Sequence, residues 1–170
     1  MAPPGGDGAG LPATLPAVLL FLGGTVELAL FSQGLANRGL QRYVIGLADI
    51  DITTLRQLGP GKGVSLIFTQ VVPNPQSSAL PIVRQYRDAL KAYFDEAPTP
   101  VSLAGYVAGR YATQLLARAG AGASRAAVLS DAMRRGDVDL GGVAIDFSRN
   151  RRGSAYVNQI LLQGDGRLIG

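Results

Sequence analysis

Gly24 and Thr25 follow one apolar run, AVLLFL (residues 17–22), and Asp49 follows another, RYVIGL (residues 42–47), with Asp51 two positions on. If both runs are strands of an open α/β sheet, these residues stand at carboxyl ends, where loop donors and helix N-termini converge and ligands settle. Amides at the start of a helix beginning at Thr25 suit a ligand carboxylate, and Asp49 suits an ammonium. The plainer reading of the acids is that Asp51 caps the next helix, ITTLRQL, while Asp49 is simply exposed.

Other chemistry is narrowed by what the chain lacks. With no histidine there is no imidazole base or Ser-His nucleophile pair, and with no cysteine there is no thiolate metal site and no disulfide. GPGKG (residues 59–63) fails as a phosphate loop: its glycines are too close, no Ser or Thr follows Lys62, and a strand comes next instead of a helix. It reads as a turn. Asp95 and Glu96 form an acidic pair in a loop with nothing nearby to raise a carboxyl pKa, so it reads as solvated. Arg149, Arg151 and Arg152 cluster in RNRR, a place for phosphate or an acidic partner, but also for ordinary surface charge.

The formal net charge of +4 is diffuse, and no stripe interleaves basic residues with stacking aromatics, so specific nucleic-acid binding is not expected. Residues 1–15 contain no Lys or Arg, so the positive start of a signal peptide is missing. Glu27 interrupts the first apolar segment well short of a membrane span.

The elements that must position these residues follow from periodicity and punctuation. AVLLFL reads as a strand buried on both faces, residues 25–39 as a helix stopped by Gly39, and RYVIGL as a second strand. Asp51 caps a helix ended by Gly59 and Pro60, and VSLIFTQVV (residues 64–72) is a third strand. This alternation predicts a parallel βαβαβ sheet. After Pro73 and Pro75, Ser78 is the expected cap of a helix carrying Val83, Tyr86, Leu90 and Tyr93 on one face. Thr99–Pro100 opens a second helix with small residues Ala104, Gly105, Ala108, Gly109 and Ala112, and Ser124 caps a third. The last segment turns to period two, so GGVAIDFS and SAYVNQILLQ are expected to pair as a hairpin around RNRRG with Gly153 in the turn, before a tight turn at Asp165 and Gly166.

The stretches GVSLIFTQVVPNP, PIVRQYRDALKAY, VSLAGYVAGRYATQLLARAG, DLGGVAIDFS and GSAYVNQILLQGDGRL, in that order, resemble the carboxyl-terminal part of type I periplasmic solute-binding proteins. The class is that of the leucine/isoleucine/valine-binding receptors of ABC importers, and the likeness runs from Pro16 to Gly170. It implies two α/β lobes joined by three crossings, a small amino-acid-like solute clamped between them, an ABC permease as partner, a periplasmic location and no cofactor. Thr69–Pro75 would then be a crossing, where proline suits a chain that has left its sheet. The ligand-contacting position after the glycine pair is Thr25, where the family often has Tyr. The acidic position two residues after Gly46 is Ala48, with Asp49 one step on.

On this reading residues 1–15 are a flexible lead-in, 16–72 a βαβαβ part of the second lobe, 73–135 a crossing with helices of the first lobe, and 136–170 C-terminal strands ending in a hairpin. The amino-terminal half of the family fold has no counterpart, so a truncated receptor, weak or undetectable solute binding by this chain alone and exposed helix faces are expected. Two readings stand: a non-catalytic solute-binding component, and a small α/β interaction module that self-associates or complements a separate first half.

Overall fold

The structure, a computed structural model, describes residues 14–94 and 96–169. The expected lead-in lies outside the described residues as far as residue 13, as does Asp95 of the acidic pair. The chain divides into two compact units, Met1–Gln70 with Asn158–Gly170, and Val71–Val157.

Unit 1 alternates β1 (Val18–Leu20), α1 (Thr25–Asn37), β2 (Tyr43–Gly46), α2 (Ile52–Leu58) and β3 (Ser65–Gln70), and is completed by β6 (Asn158–Leu162) and β7 (Leu168–Ile169). Strand order is β1-β2-β3-β6-β7, with β1, β2 and β3 parallel and the last two antiparallel. Alternation places Val44, Leu66, Phe68, Ile160 and Leu162 on one face, where Leu28 and Leu35 of α1 and Leu55 of α2 complete a buried core. Both crossover helices cover that face because the first three strands are neighbours in chain order. The expectation that AVLLFL is buried on both faces is therefore corrected. Val18 and Leu20 are 51% and 63% exposed, since β1 is an edge strand and no described element of unit 1 covers its second face.

Local punctuation is found where residue type demands it. Gly39, at φ +67°, ends the α1 segment as the Leu40 N–H donates back to Leu35 O, and Gly59, at φ +72°, ends α2. The GPGKG turn is built for close approach. Ser32, buried in α1, accepts from the Gly61 N–H at 3.0 Å and donates to Ala29 O at 2.9 Å, while Gln33 Nε2 donates to Gly59 O at 2.6 Å. A Cβ on Gly61 would lie 2.0 Å from Ser32 O, so only glycine fits.

Unit 2 holds α3 (Pro81–Tyr93), α4 (Pro100–Ala119), α5 (Arg125–Arg134), β4 (Val138–Asp139) and β5 (Ala144–Ile145). Its core joins Ile82, Val83, Tyr86 and Leu90 of α3 to Leu103, Val107 and Tyr111 of α4 and to Val138, Leu140, Val143 and Ile145. Thr99 and Ser124 cap α4 and α5 by accepting from Ser102 N–H and Ala127 N–H, each at 3.2 Å. Ser78 does not cap α3. Pro81 drives the preceding Leu80 into extended backbone and becomes the first helical residue, which leaves Ser78 too early to reach the helix amides; its hydroxyl accepts from Leu80 N–H instead.

The C-terminal pairing also differs from expectation. Ala144–Ile145 pairs antiparallel with Val138–Asp139, whereas Asn158–Leu162 pairs with β3 and, through the Asp165–Gly166 turn, with β7. GGVAIDFS and SAYVNQILLQ are thus not partners, and the segment 136–170 is shared between the two units. The physical reason is that period two specifies a strand without its neighbour, and β3 offered β6 a five-residue register with Leu66, Ile67 and Phe68. Gly153 is not at a left-handed φ; a Cβ there would sit 2.4 Å from the Phe147 ring, so a side chain at this position would need the ring to shift.

Candidate functional site

All four candidate residues, Gly24, Thr25, Ala48 and Asp49, lie in unit 1 at the carboxyl ends of β1 and β2. Parallel pairing of Leu19 with Val44 and Leu20 with Ile45, extended by the Phe21 N–H donating to Ile45 O at 2.9 Å, brings the two exit loops side by side. A cross-loop bond then ties them: the Asp51 N–H donates to Thr25 Oγ1 at 3.0 Å. Ala48 and Asp49 occupy the turn before it, closed by Ile50 N–H donating to Leu47 O at 3.3 Å, and both are exposed.

The two acids in this loop have different tasks. Asp51 caps α2, accepting from the amides of Thr53 at 2.9 Å and Thr54 at 3.3 Å and from the Thr54 hydroxyl at 2.7 Å. The Thr54 hydroxyl, helped by these amides, holds the Asp51 carboxyl below the usual carboxylate range against the opposing effect of burial. Asp51 is therefore committed to its helix. Asp49 makes no hydrogen bond or ion pair among the described residues, which leaves its carboxylate open to a ligand donor.

Gly24 precedes α1 in extended backbone, and no side chain caps this end. First-turn amides without a cap form a partial positive charge. The residue missed from the sequence is Glu27. Its Oε2 stands 2.7 Å from where a Gly24 Cβ would be, so a carboxylate already occupies the neighbourhood of those amides. An acid in the first turn of an uncapped helix was the available signal. With Glu27 and Asp49 at one sheet edge, the charge there suits an ammonium better than a ligand carboxylate.

The arginine cluster lies in unit 2. Arg149 approaches Asp146 at 3.7 Å, while Asp146 accepts from Ser148 N–H at 2.7 Å and Arg152 N–H donates to Asn150 Oδ1 at 2.7 Å. Hydrogen bonding to Ser148 keeps the Asp146 carboxyl below its ordinary range. Among the described residues no group of three or more His, Cys, Asp or Glu side chains could hold a metal, and no helix is long and apolar enough to cross a membrane.

The fold has counterparts among solved structures. An extracellular ligand-binding receptor from Verminephrobacter eiseniae shares 23% identity at a TM-score of 0.77, covering 93% of this chain and 46% of its own. A possible leucine/isoleucine/valine-binding protein from Rhodopirellula baltica shares 24% identity at 0.76, covering 92% and 43%. A substrate-binding periplasmic protein from Ralstonia solanacearum shares 27% identity at 0.70, covering 90% and 45%. This chain thus spans less than half the length of these similar structures. No curated protein matches it. Its α/β fold is that of the type I periplasmic binding proteins, and residues 12–163 match the periplasmic binding protein family over most of the sequence. The chain belongs to that family.

Proposed function

We propose that this chain is a solute-binding component of ABC-type import that holds an amino-acid-like solute in the periplasm without catalysis. The observation that carries the reading is the Asp51–Thr25 hydrogen bond. It fixes Gly24, Thr25, Ala48 and Asp49 at one carboxyl edge of a parallel sheet, the location open α/β sheets use for ligands. There the Asp49 carboxylate, supported by Glu27, meets the solute ammonium, and the Thr25 hydroxyl, still free to donate, meets a solute oxygen. The absence of histidine and cysteine and the commitment of Asp51 to a helix cap support binding over turnover. The solute is then handed to a permease.

Isothermal titration with branched, aromatic and acidic amino acids tests this. Heat with at least one class, accompanied by a thermal shift and lost in Asp49→Asn, is the expected result. Saturable heat that is unchanged in Asp49→Asn sinks it.

A second reading is favoured by one specific observation. Register places Leu20, Ile45, Ile67, Leu161 and Ile169 in one row on the second face of the unit 1 sheet, with Leu20 63% and Ile169 51% exposed. A continuous apolar row of this kind suits an interaction module that self-associates or captures a complementary segment. Silence in the titrations together with a mass that rises with concentration in light scattering supports that reading instead.

A further inference from the structure

The hairpin joining β6 to β7 turns at Gly164, Asp165 and Gly166. An Asp-Gly step carries backbone chemistry of its own, because glycine places no side chain beside its amide nitrogen. That nitrogen can attack Cγ of the aspartyl side chain. The N–Cγ bond forms, the nitrogen gives up its proton, and a carboxyl oxygen leaves as water. Water then reopens the five-membered imide. Addition at Cγ restores aspartate, whereas addition at the main-chain carbonyl leaves isoaspartate, with the main chain routed through Cβ and Cγ. No mass is gained or lost, and water is the sole co-reactant.

Each reacting group at this step is already engaged. The nucleophile, Gly166 N–H, donates to Gln163 O at 2.8 Å. The electrophile is held twice: Asp165 Oδ1 accepts from the Arg167 N–H at 3.0 Å and Oδ2 from Arg167 Nε at 2.8 Å. Hydrogen bonding from the Arg167 backbone keeps the Asp165 carboxyl below its ordinary range, which depletes the neutral acid that loses water. Arg167 is fixed in turn, since its Nη2 donates to Gln163 Oε1 at 3.3 Å and its carbonyl accepts from Gln163 N–H at 2.9 Å. Atoms of the turn itself make all these bonds, so they stand whatever covers the rest of the sheet.

We propose that Asp165–Gly166 is a latent isoaspartate-forming site, that Arg167 is the positioning residue holding it unreacted, and that conversion releases β7. The release follows from register. Leu162 pairs with Leu168 and Leu161 with Ile169 across the turn, and a main chain lengthened by a methylene cannot keep these pairs together with the Gln163–Arg167 bond.

The test is incubation of the full chain at neutral pH, folded and in concentrated urea. Trypsin releases residues 153–167, in which Asp165 is the sole acid, and electron-transfer fragmentation separates isoaspartate from aspartate at equal mass. Isoaspartate should accumulate about fivefold more slowly in the folded chain, the scale set by one hydrogen bond on the nucleophile. Arg167→Ala, read on the longer peptide to residue 170, should raise the folded rate about threefold, as for an exposed charge pair, and leave the urea rate unchanged. Arg167→Lys should return part of the protection. In the converted fraction the Gln163 amide should lose its protection from hydrogen exchange while β3 amides keep theirs. The comparison of folded with unfolded chain needs no substitution, so it decides the matter even if Arg167→Ala fails to fold. Equal rates in the two states, an unchanged folded rate in Arg167→Ala with the fold intact by circular dichroism, or an isoaspartyl chain that keeps Gln163 protected would each overturn the inference.

Discussion

The backbone N–H of Asp51 donates to the hydroxyl of Thr25 at 3.0 Å, across a separation of 26 residues. Through this contact the start of α1 and the start of α2 are held in one arrangement, with the Ala48–Asp49 turn between them.

Thr25→Val keeps the branched shape and removes the acceptor. The expected cost is about 1 kcal/mol, the usual net worth of a neutral hydrogen bond, read as a lower urea midpoint at unchanged slope. If Thr25 also meets solute, this variant loses solute affinity beyond what its stability change accounts for.

Asp51→Ala should cost about 1 kcal/mol through the lost α2 cap, and Asp51→Asn less, since asparagine also caps well. The pH dependence follows from the depressed folded pKa. Unfolded, Asp51 titrates near ~3.9. Its charged-state contribution is complete above that value and is lost as pH falls through the lower folded pKa. Urea melts between roughly pH 5 and pH 2 should therefore show a shallower acid loss in Asp51→Asn than in the native chain.

Two glycines separate steric from conformational cost. Gly61→Ala would drive a methyl to 2.0 Å from Ser32 O, against helix backbone that cannot yield cheaply. A loss of about 3 kcal/mol is expected from such overpacking. Gly39→Ala meets no atom within 4 Å but sits at φ +67°, so only the left-handed penalty of about 1 kcal/mol applies. Comparable losses in the two variants would contradict the close approach of α1 to the GPGKG turn.

In unit 2 the Tyr86 hydroxyl accepts from Thr99 N–H at 3.1 Å and lies 2.5 Å from Ser102 Oγ, joining α3 to the cap of α4. Tyr86→Phe leaves the Thr99 amide without that acceptor and should cost about 1–3 kcal/mol. Thermal unfolding followed by near-ultraviolet circular dichroism would show it, and an unchanged midpoint would place the α3–α4 connection elsewhere.

What the sequence by itself determined was local. Thr99–Pro100, Ser124, Asp51, Gly39 and Gly59 each act on amides or dihedrals within four residues, so their effect could be read from neighbouring letters, and the alternation of strands with helices through Gln70 followed from the same signals. The position of Gly24, Thr25 and Asp49 at strand ends was legible for that reason. Three things were decided by tertiary structure. The choice of β3 as partner for Asn158–Leu162 depended on an open sheet edge more than 80 residues earlier in the chain, not on the hairpin length that suggested Ala144–Ile145. The exposure of Val18 and Leu20 depended on both crossover helices covering the same face, although an apolar run reads alike whether one side or two are covered. The bond from Asp51 N–H to the Thr25 hydroxyl depended on the parallel pairing of β1 with β2, which sets two loops 26 residues apart side by side. Short-range hydrogen bonding and backbone preference are written in adjacent residues, whereas pairing, coverage and cross-loop bonding arise only when distant segments compete for the same surface.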